Sequence, residues 1–235
     1  MSRGRTIRRV LATTAVASIG AVWVAHAVAE SLIHHPDVGS GAVIAAQGVA
    51  PSVPACAQCH AYDGASDGSG AFPRIAGQSA SYLAKELRDF ASGVRANAVM
   101  TPIAKALSPD EIADVTAYYA SVNAPYLPLA SPDPMLTKRG EQLAKIGDGT
   151  KDLQSCNNCH GPGGAGEPPA IPYLAGQYAH YIAFQLTMWQ RGIRNNSPDA
   201  MADIAKRLDA QDIAAVAAYF QQVDASVLAA TQPMK

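Results

Sequence analysis

The stretch SCNNCHGPGGAG, residues 155–166, places two cysteines and a histidine within five positions and follows them with a loop nearly empty of side chains. The same unit occurs once more, as Cys56, Cys59 and His60 in PACAQCHAYDGASDGSG, residues 54–70. The two units use all four cysteines of the 235-residue chain. Outward from them the chain repeats itself. PRIAGQSASYLAKEL (73–87) aligns with PYLAGQYAHYIAFQL (172–186), SGVRAN (92–97) with RGIRNN (191–196), and MTPIAKALSPDEIADVTAYYASV (100–122) with MADIAKRLDAQDIAAVAAYFQQV (201–223). The offset is 100 at the cysteines, 99 at the Gly-Gln pair and 101 at the methionines, the shifts falling in loops. Between the copies NAPYLPLASPDPML holds four prolines in fourteen residues, the composition of a linker rather than a helix. The expected organisation is a first domain at 40–124, a linker at 125–135 and a second domain at 136–230.

Each copy reads as helical, and no run alternates as a strand. Tyr82, Leu83, Leu87 and Phe90 share a face at helical spacing, and Gly93 ends that helix. SPDE at 108–111 offers Ser108 as cap, Pro109 in the first turn and Glu111 to close a capping box. Ile112, Val115, Tyr119 and Val122 then line the buried face. In the second copy Asp209 caps the matching helix, and Ile213, Val216, Phe220 and Val223 face inward. RGEQLAKIG (139–147) reads as a helix leading into the second motif, with a weaker counterpart in GAVIAAQG (41–48).

The amino terminus carries Arg3, Arg5, Arg8 and Arg9 ahead of the apolar run at 10–29, the pattern of an export signal cleaved near Ala27 or Ala29. The run is nearly long enough to span a bilayer, so a retained inner-membrane anchor is the alternative. Both readings place the rest of the chain in the periplasm. Without those four arginines 14 basic residues face 19 acidic ones, a net charge of −5 that argues against nucleic acid as a partner. Residues 30–135 hold 5 basic and 10 acidic groups, residues 136–235 hold 9 of each, so the molecule is electrically lopsided.

Cys-x-x-Cys-His is the attachment signature of c-type haem. Two thiols one helical turn apart add to the two vinyl groups on one porphyrin edge, and the next residue offers an imidazole to the iron. A shared zinc ribbon is disfavoured by the 96 residues between Cys59 and Cys156. A thioredoxin-like pair lacks its βαβ setting, and a disulfide across so short a loop leaves the histidines unexplained. Two haem c groups also answer a folding problem, since aromatics are only 6% of the chain and each copy is small. For the sixth iron position only Met100 and Met201 occupy matched sites, 40 and 41 residues after His60 and His160. Met135, Met188 and Met234 read as packing. His180 matches Ser81 and reads as a helix-surface or interface residue, while His34 and His35 read as solvated. For the matched Arg95 and Arg194 two readings stand, haem propionate partners or surface arginines at helix ends. The Gly-Gln pairs at 77–78 and 176–177 read as helix-start devices.

On both Cys-x-x-Cys-His units, PRIAGQ and PYLAGQ, the Met-x-x-Ile-Ala-Lys-x-Leu pattern and the closing AYYASV and AYFQQV, the chain resembles the dihaem cytochrome c4 family over nearly all of its exported length. The resemblance implies an all-α protein of two tandem cytochrome c domains related by a pseudo-twofold, with the haems facing each other across the interface. It implies one haem on Cys56, Cys59, His60 and Met100 and one on Cys156, Cys159, His160 and Met201, with Pro73 and Pro172 orienting the histidines through their carbonyls. Copy one departs at Ala61, where copy two has Gly161. The expected function is single-electron transfer in a periplasmic respiratory chain, from a donor dehydrogenase or quinol-oxidising complex to a terminal oxidase. Membrane respiratory complexes are the expected partners. Alternatives are the cytochrome subunit of a membrane-bound dehydrogenase and an enzyme such as thiosulfate dehydrogenase. The enzyme is disfavoured because no cysteine is left over as a ligand and both copies offer a methionine.

Overall fold

Side-chain caps start five of the ten α-helices in the computed structural model, which describes residues 34–124 and 132–224. The expected signal or anchor at 1–29, most of the linker and Met234 lie outside the described residues. In the first copy Asp37 caps α1 (Val38–Gln47) by accepting from the Ser40 amide. The short α2 (Ala57–His60) carries the first motif. Ser79 caps α3 (Ala80–Ser92), which Gly93 ends at φ 86°. After α4 (Met100–Lys105), the Ser108–Glu111 capping box starts α5 (Pro109–Ser121).

The second copy repeats this order. α6 (Pro134–Lys145) leads through β1 (Gly147–Asp148) and β2 (Leu153–Gln154), an antiparallel pair, to α7 (Asn157–His160). Then come α8 (Ala179–Gln190), α9 (Met201–Lys206) and α10 (Ala210–Gln222), the last capped by Asp209. Two boundaries differ from expectation. α6 starts at Pro134, five residues before Arg139, because Asp133 accepts from the Met135 amide and proline is tolerated in a first turn. α1 likewise starts at Val38, before the expected glycine-rich start. The two-residue strands were not legible, since so short a pair has no alternation to read.

Packing follows the repeat. α1 crosses α5, and α6 crosses α10; α3 lies on α4 and α5, as α8 lies on α9 and α10. Both leading crossings depend on glycine. A methyl group on Gly41 would sit 2.1 Å from the Asp114 carbonyl oxygen, and one on Gly140 2.0 Å from that of Ala215. The obstacles are backbone atoms, so the helices must part. Gly140→Ala is expected to cost at least about 2 kcal/mol, read as a lowered denaturant midpoint.

The cores are unequal. The second copy buries a large cluster around Leu143, Ile182, Trp189, Val216 and Phe220. The first has a cluster of five described residues, Ile44, Ala45, Val115, Tyr118 and Tyr119, and a separate small one of Ala65, Ala76 and Ala124. The second copy also carries an ion-pair network, in which Arg139 meets Asp148 at 2.7 Å and Asp212 at 2.9 Å while Lys151 meets Asp209 at 2.6 Å. From Asp37 onward the two copies form one compact unit. Among the described residues no helix is long and apolar enough to cross a membrane.

Candidate functional site

Each cysteine motif is a single helical turn. The Cys59 and His60 amides donate to the Cys56 carbonyl at 3.2 and 2.9 Å, and those of Cys159 and His160 to the Cys156 carbonyl at the same distances. Sulfurs three residues apart on such a turn lie on one side of it. Cys56 and Cys156 pack against the cores of their copies, Cys59 is half-buried and Cys159 exposed, and none is in a disulfide. Burial pushes the Cys56 thiol up and that of Cys156 to about 11.

The histidines are fixed from behind. His60 donates Nδ1–H to the Pro73 carbonyl at 3.3 Å, and His160 to the Pro172 carbonyl at 2.9 Å. This selects the tautomer whose Nε2 lone pair is free to ligate. Burial lowers the pKa of both rings, only partly opposed by these hydrogen bonds, so both are neutral near pH 7. Met100 and Met201 are half-buried and each opens its short helix, and Met201 packs on the second core. Met135 is 73% exposed, so the packing reading fails for it: it sits in the first turn of α6, on the side turned to solvent.

The turn after each histidine needs positive φ. Gly161 sits at φ 73°, ψ 167°, and Ala61 adopts φ 59°, ψ 160°, a region strained for a residue with a Cβ. Ala61→Gly is therefore expected to stabilise the first copy by about 1 kcal/mol, seen as a later unfolding transition.

Between the copies lies polar chemistry that the sequence only hinted at. Gln177 accepts from the Arg74 amide at 3.0 Å and donates to the Arg74 carbonyl at 2.8 Å. Gln78 treats Tyr173, the residue matching Arg74, in the same way at 3.3 and 3.4 Å. Each glutamine also accepts from the next residue's amide just before α3 or α8, so the helix-start reading holds but misses the clasp. The signal was a glutamine present in both copies, whose partner lies about a hundred residues away. Tyr173 and Tyr178 add hydroxyl bonds to the carbonyls of Ala76 and Ala65. His180 is exposed at this interface's edge, its Cβ against Gly70.

Arg95 and Arg194 are not surface residues at helix ends. They pair as an isolated antiparallel bridge and are 7% and 5% exposed. Both reach Glu86, Arg95 at 2.5 Å and Arg194 at 3.1 Å, and both reach Gln185, at 2.8 and 2.9 Å. Arg95 also donates to the Tyr181 hydroxyl and Arg194 to that of Tyr82. Each guanidinium stacks on an aromatic ring, Phe90 for Arg95 and Trp189 for Arg194. Burial, then Glu86, pushes the Tyr82 phenol up to about 12.

Three observations fit a haem c in each copy. The donor set of two thiols and one carbonyl-oriented imidazole is complete in both. Two buried arginines share one glutamate, leaving positive charge that suits an acidic group. The Trp189 indole nitrogen is buried with no hydrogen-bond partner, a donor beside Arg194 that suits the same kind of group.

Known proteins match both copies. Residues 45–123 match the cytochrome c family, and residues 147–220 match the family described as cytochrome c oxidase, cbb3-type, subunit III. The chain is 40% identical over 177 residues to the thiosulfate dehydrogenase electron acceptor of Stutzerimonas stutzeri (strain A1501), covering 75% of this chain and 82% of that protein. It is 38% identical over 169 residues to cytochrome c4 of Pseudomonas aeruginosa, covering 71% and 82%. The crystal structure of reduced recombinant cytochrome c4 from Pseudomonas stutzeri superposes with a TM-score of 0.71 at 32% identity, over 81% of this chain and all of that one.

Proposed function

We propose that this chain, which belongs to the cytochrome c4 family and carries two haem c groups, passes single electrons between a respiratory donor and a terminal oxidase in the periplasm. The observation that carries the reading is the paired motif, two thiols and a neutral imidazole braced by a proline carbonyl, built twice about one interface.

In this reading Cys56 and Cys59 hold one group by thioether bonds and Cys156 and Cys159 the other. His60 and His160 ligate through Nε2, held in place by Pro73 and Pro172, and Met100 and Met201 supply the sixth ligands. Arg95, Arg194 and the Trp189 indole face the acidic propionate edges. Bound haem c supplies a reversible one-electron couple. The Met100 and Met201 sulfurs would deny water and substrates access to a bound iron, so the residues present favour relay over catalysis. The buried arginines and glutamines lock the copies together, limiting reorganisation when charge moves between them.

The likeness to a thiosulfate dehydrogenase electron acceptor supports a second reading, in which a dehydrogenase of that kind is the donor and this chain the acceptor. The test is an absorption spectrum and haem assay of protein from a host that matures c-type cytochromes. Two haems per chain and a weak far-red sulfur-to-iron band are expected. A colourless product, or carbon monoxide uptake at both irons, would sink the proposal.

A further inference from the structure

The arginines and tyrosines of the interdomain cluster, and the acceptors between them, are two-fold matched except in one charge. Arg95 matches Arg194, Tyr82 matches Tyr181, and the hydrogen bonds cross between copies in both directions. At the remaining matched position the first copy has Glu86 and the second Gln185, 6% and 9% exposed. The two oxygens do the same hydrogen-bonding work, each accepting from both arginines. They differ in charge, and Asn196 turns toward the charged one, donating to Glu86 at 2.9 Å. Two more charged groups lie nearby and offset each other: Lys85 pairs with Asp89 at 2.5 Å and lies 3.7 Å from Glu86, and Asn196 also donates to Asp89 at 2.8 Å.

We infer that Glu86 is a positioning residue for electrons: this carboxylate, shared by both arginines and replaced by an amide in the second copy, lowers the potential of the Met100 site more than that of the Met201 site and so gives transfer between two similar halves a direction. The inference rests on the electron-transfer reading above. A fixed negative charge stabilises the more positive, oxidised iron. Glu86 sits on α3, which packs on the helix opened by Met100, while Gln185 sits on α8, which packs on the helix opened by Met201. Arg95, bonded to Glu86, precedes Met100 by five residues, a span of at most about 17 Å. A unit charge at about 15 Å and an effective dielectric of about 20 changes an exchange constant about sixfold. That is about 45 mV at 59 mV per tenfold for one electron.

The test is potentiometry of the mature dihaem protein, with the two waves assigned to their sites by the shifted methionine methyl signals in the NMR spectrum. Glu86→Gln is expected to raise both potentials, the Met100 site more, by about the sixfold equivalent. Because that variant leaves two buried arginines without a carboxylate and is at risk of misfolding, the decisive variant is the exchange Glu86→Gln with Gln185→Glu. It keeps the interface charge and an acceptor oxygen for both arginines at each of the two positions, and it should move the gap between the waves in the opposite direction. A structural role alone would leave the gap of a folded exchange variant where it was. Two intact waves with an unchanged gap would overturn this inference alone. Absence of c-type haem absorbance would overturn the functional reading and this inference with it.

Discussion

Met201→Ala protein is expected to lose the far-red sulfur-to-iron band from its second site and to bind carbon monoxide there, while the first site keeps its spectrum. Met100→Ala should do the reverse. The expectation follows from position. Met100 and Met201 are matched in the repeat and each opens the same short helix at half-buried depth, whereas Met135 is exposed and has no such counterpart. Thioether ligation raises a haem potential, and its loss opens the iron to solvent. A fall on the order of 0.2 V is expected at the altered site, within the roughly 0.8 V that axial ligands span. Potentiometry and carbon monoxide difference spectra of the two single variants, with Met135→Leu as control, check this. Unchanged bands in both alanine variants would remove methionine from the ligand set.

Protein lacking all four cysteines, expressed without covalent haem, is expected to lose its cooperative fold. The first copy should fail first. Its cluster holds five described residues, and two of them, Tyr118 and Tyr119, spend their hydroxyls on the carbonyls of Tyr62 and Ala61 beside the haem motif. A domain of this size with so small an apolar core does not offset its chain entropy alone. The second copy, with Phe220 and Leu143 fully buried and the Arg139 network around it, should retain more residual helix. Pairwise variants separate the two. Loss of Cys56 and Cys59 should abolish amide protection across α3 to α5, and loss of Cys156 and Cys159 should be milder. Far-ultraviolet circular dichroism with hydrogen exchange measures both. A sharp, native-like melt of the four-cysteine variant would show that the polypeptide alone supplies the core.

What was legible in the chain follows the range of the interactions. The Ser108–Glu111 capping box, the Asp209 cap, the Gly93 stop and the cysteine turns each close within five residues, so the residues that make them can be read side by side. The same locality explains the misses at helix starts. Pro134 reads as linker among four prolines, yet one aspartate before it is enough to begin a helix. On α3 the periodic residues Leu83 and Leu87 pack half-buried against their own core, while Glu86 is buried on the face that meets the second copy, a contact no local periodicity marks.

The sequence by itself determined two copies, two haem-attachment turns, the matched histidines and methionines, and the caps that start the principal helices, since each is a pattern of near neighbours or of repetition. Only the tertiary structure decided that Gln78 and Gln177 clasp opposite copies, that Arg95 and Arg194 lie buried against each other, and that a single glutamate stands between them. Those partners are about 90 to 110 residues apart in the chain and meet only because two similar surfaces close face to face, a geometry that no local spacing encodes.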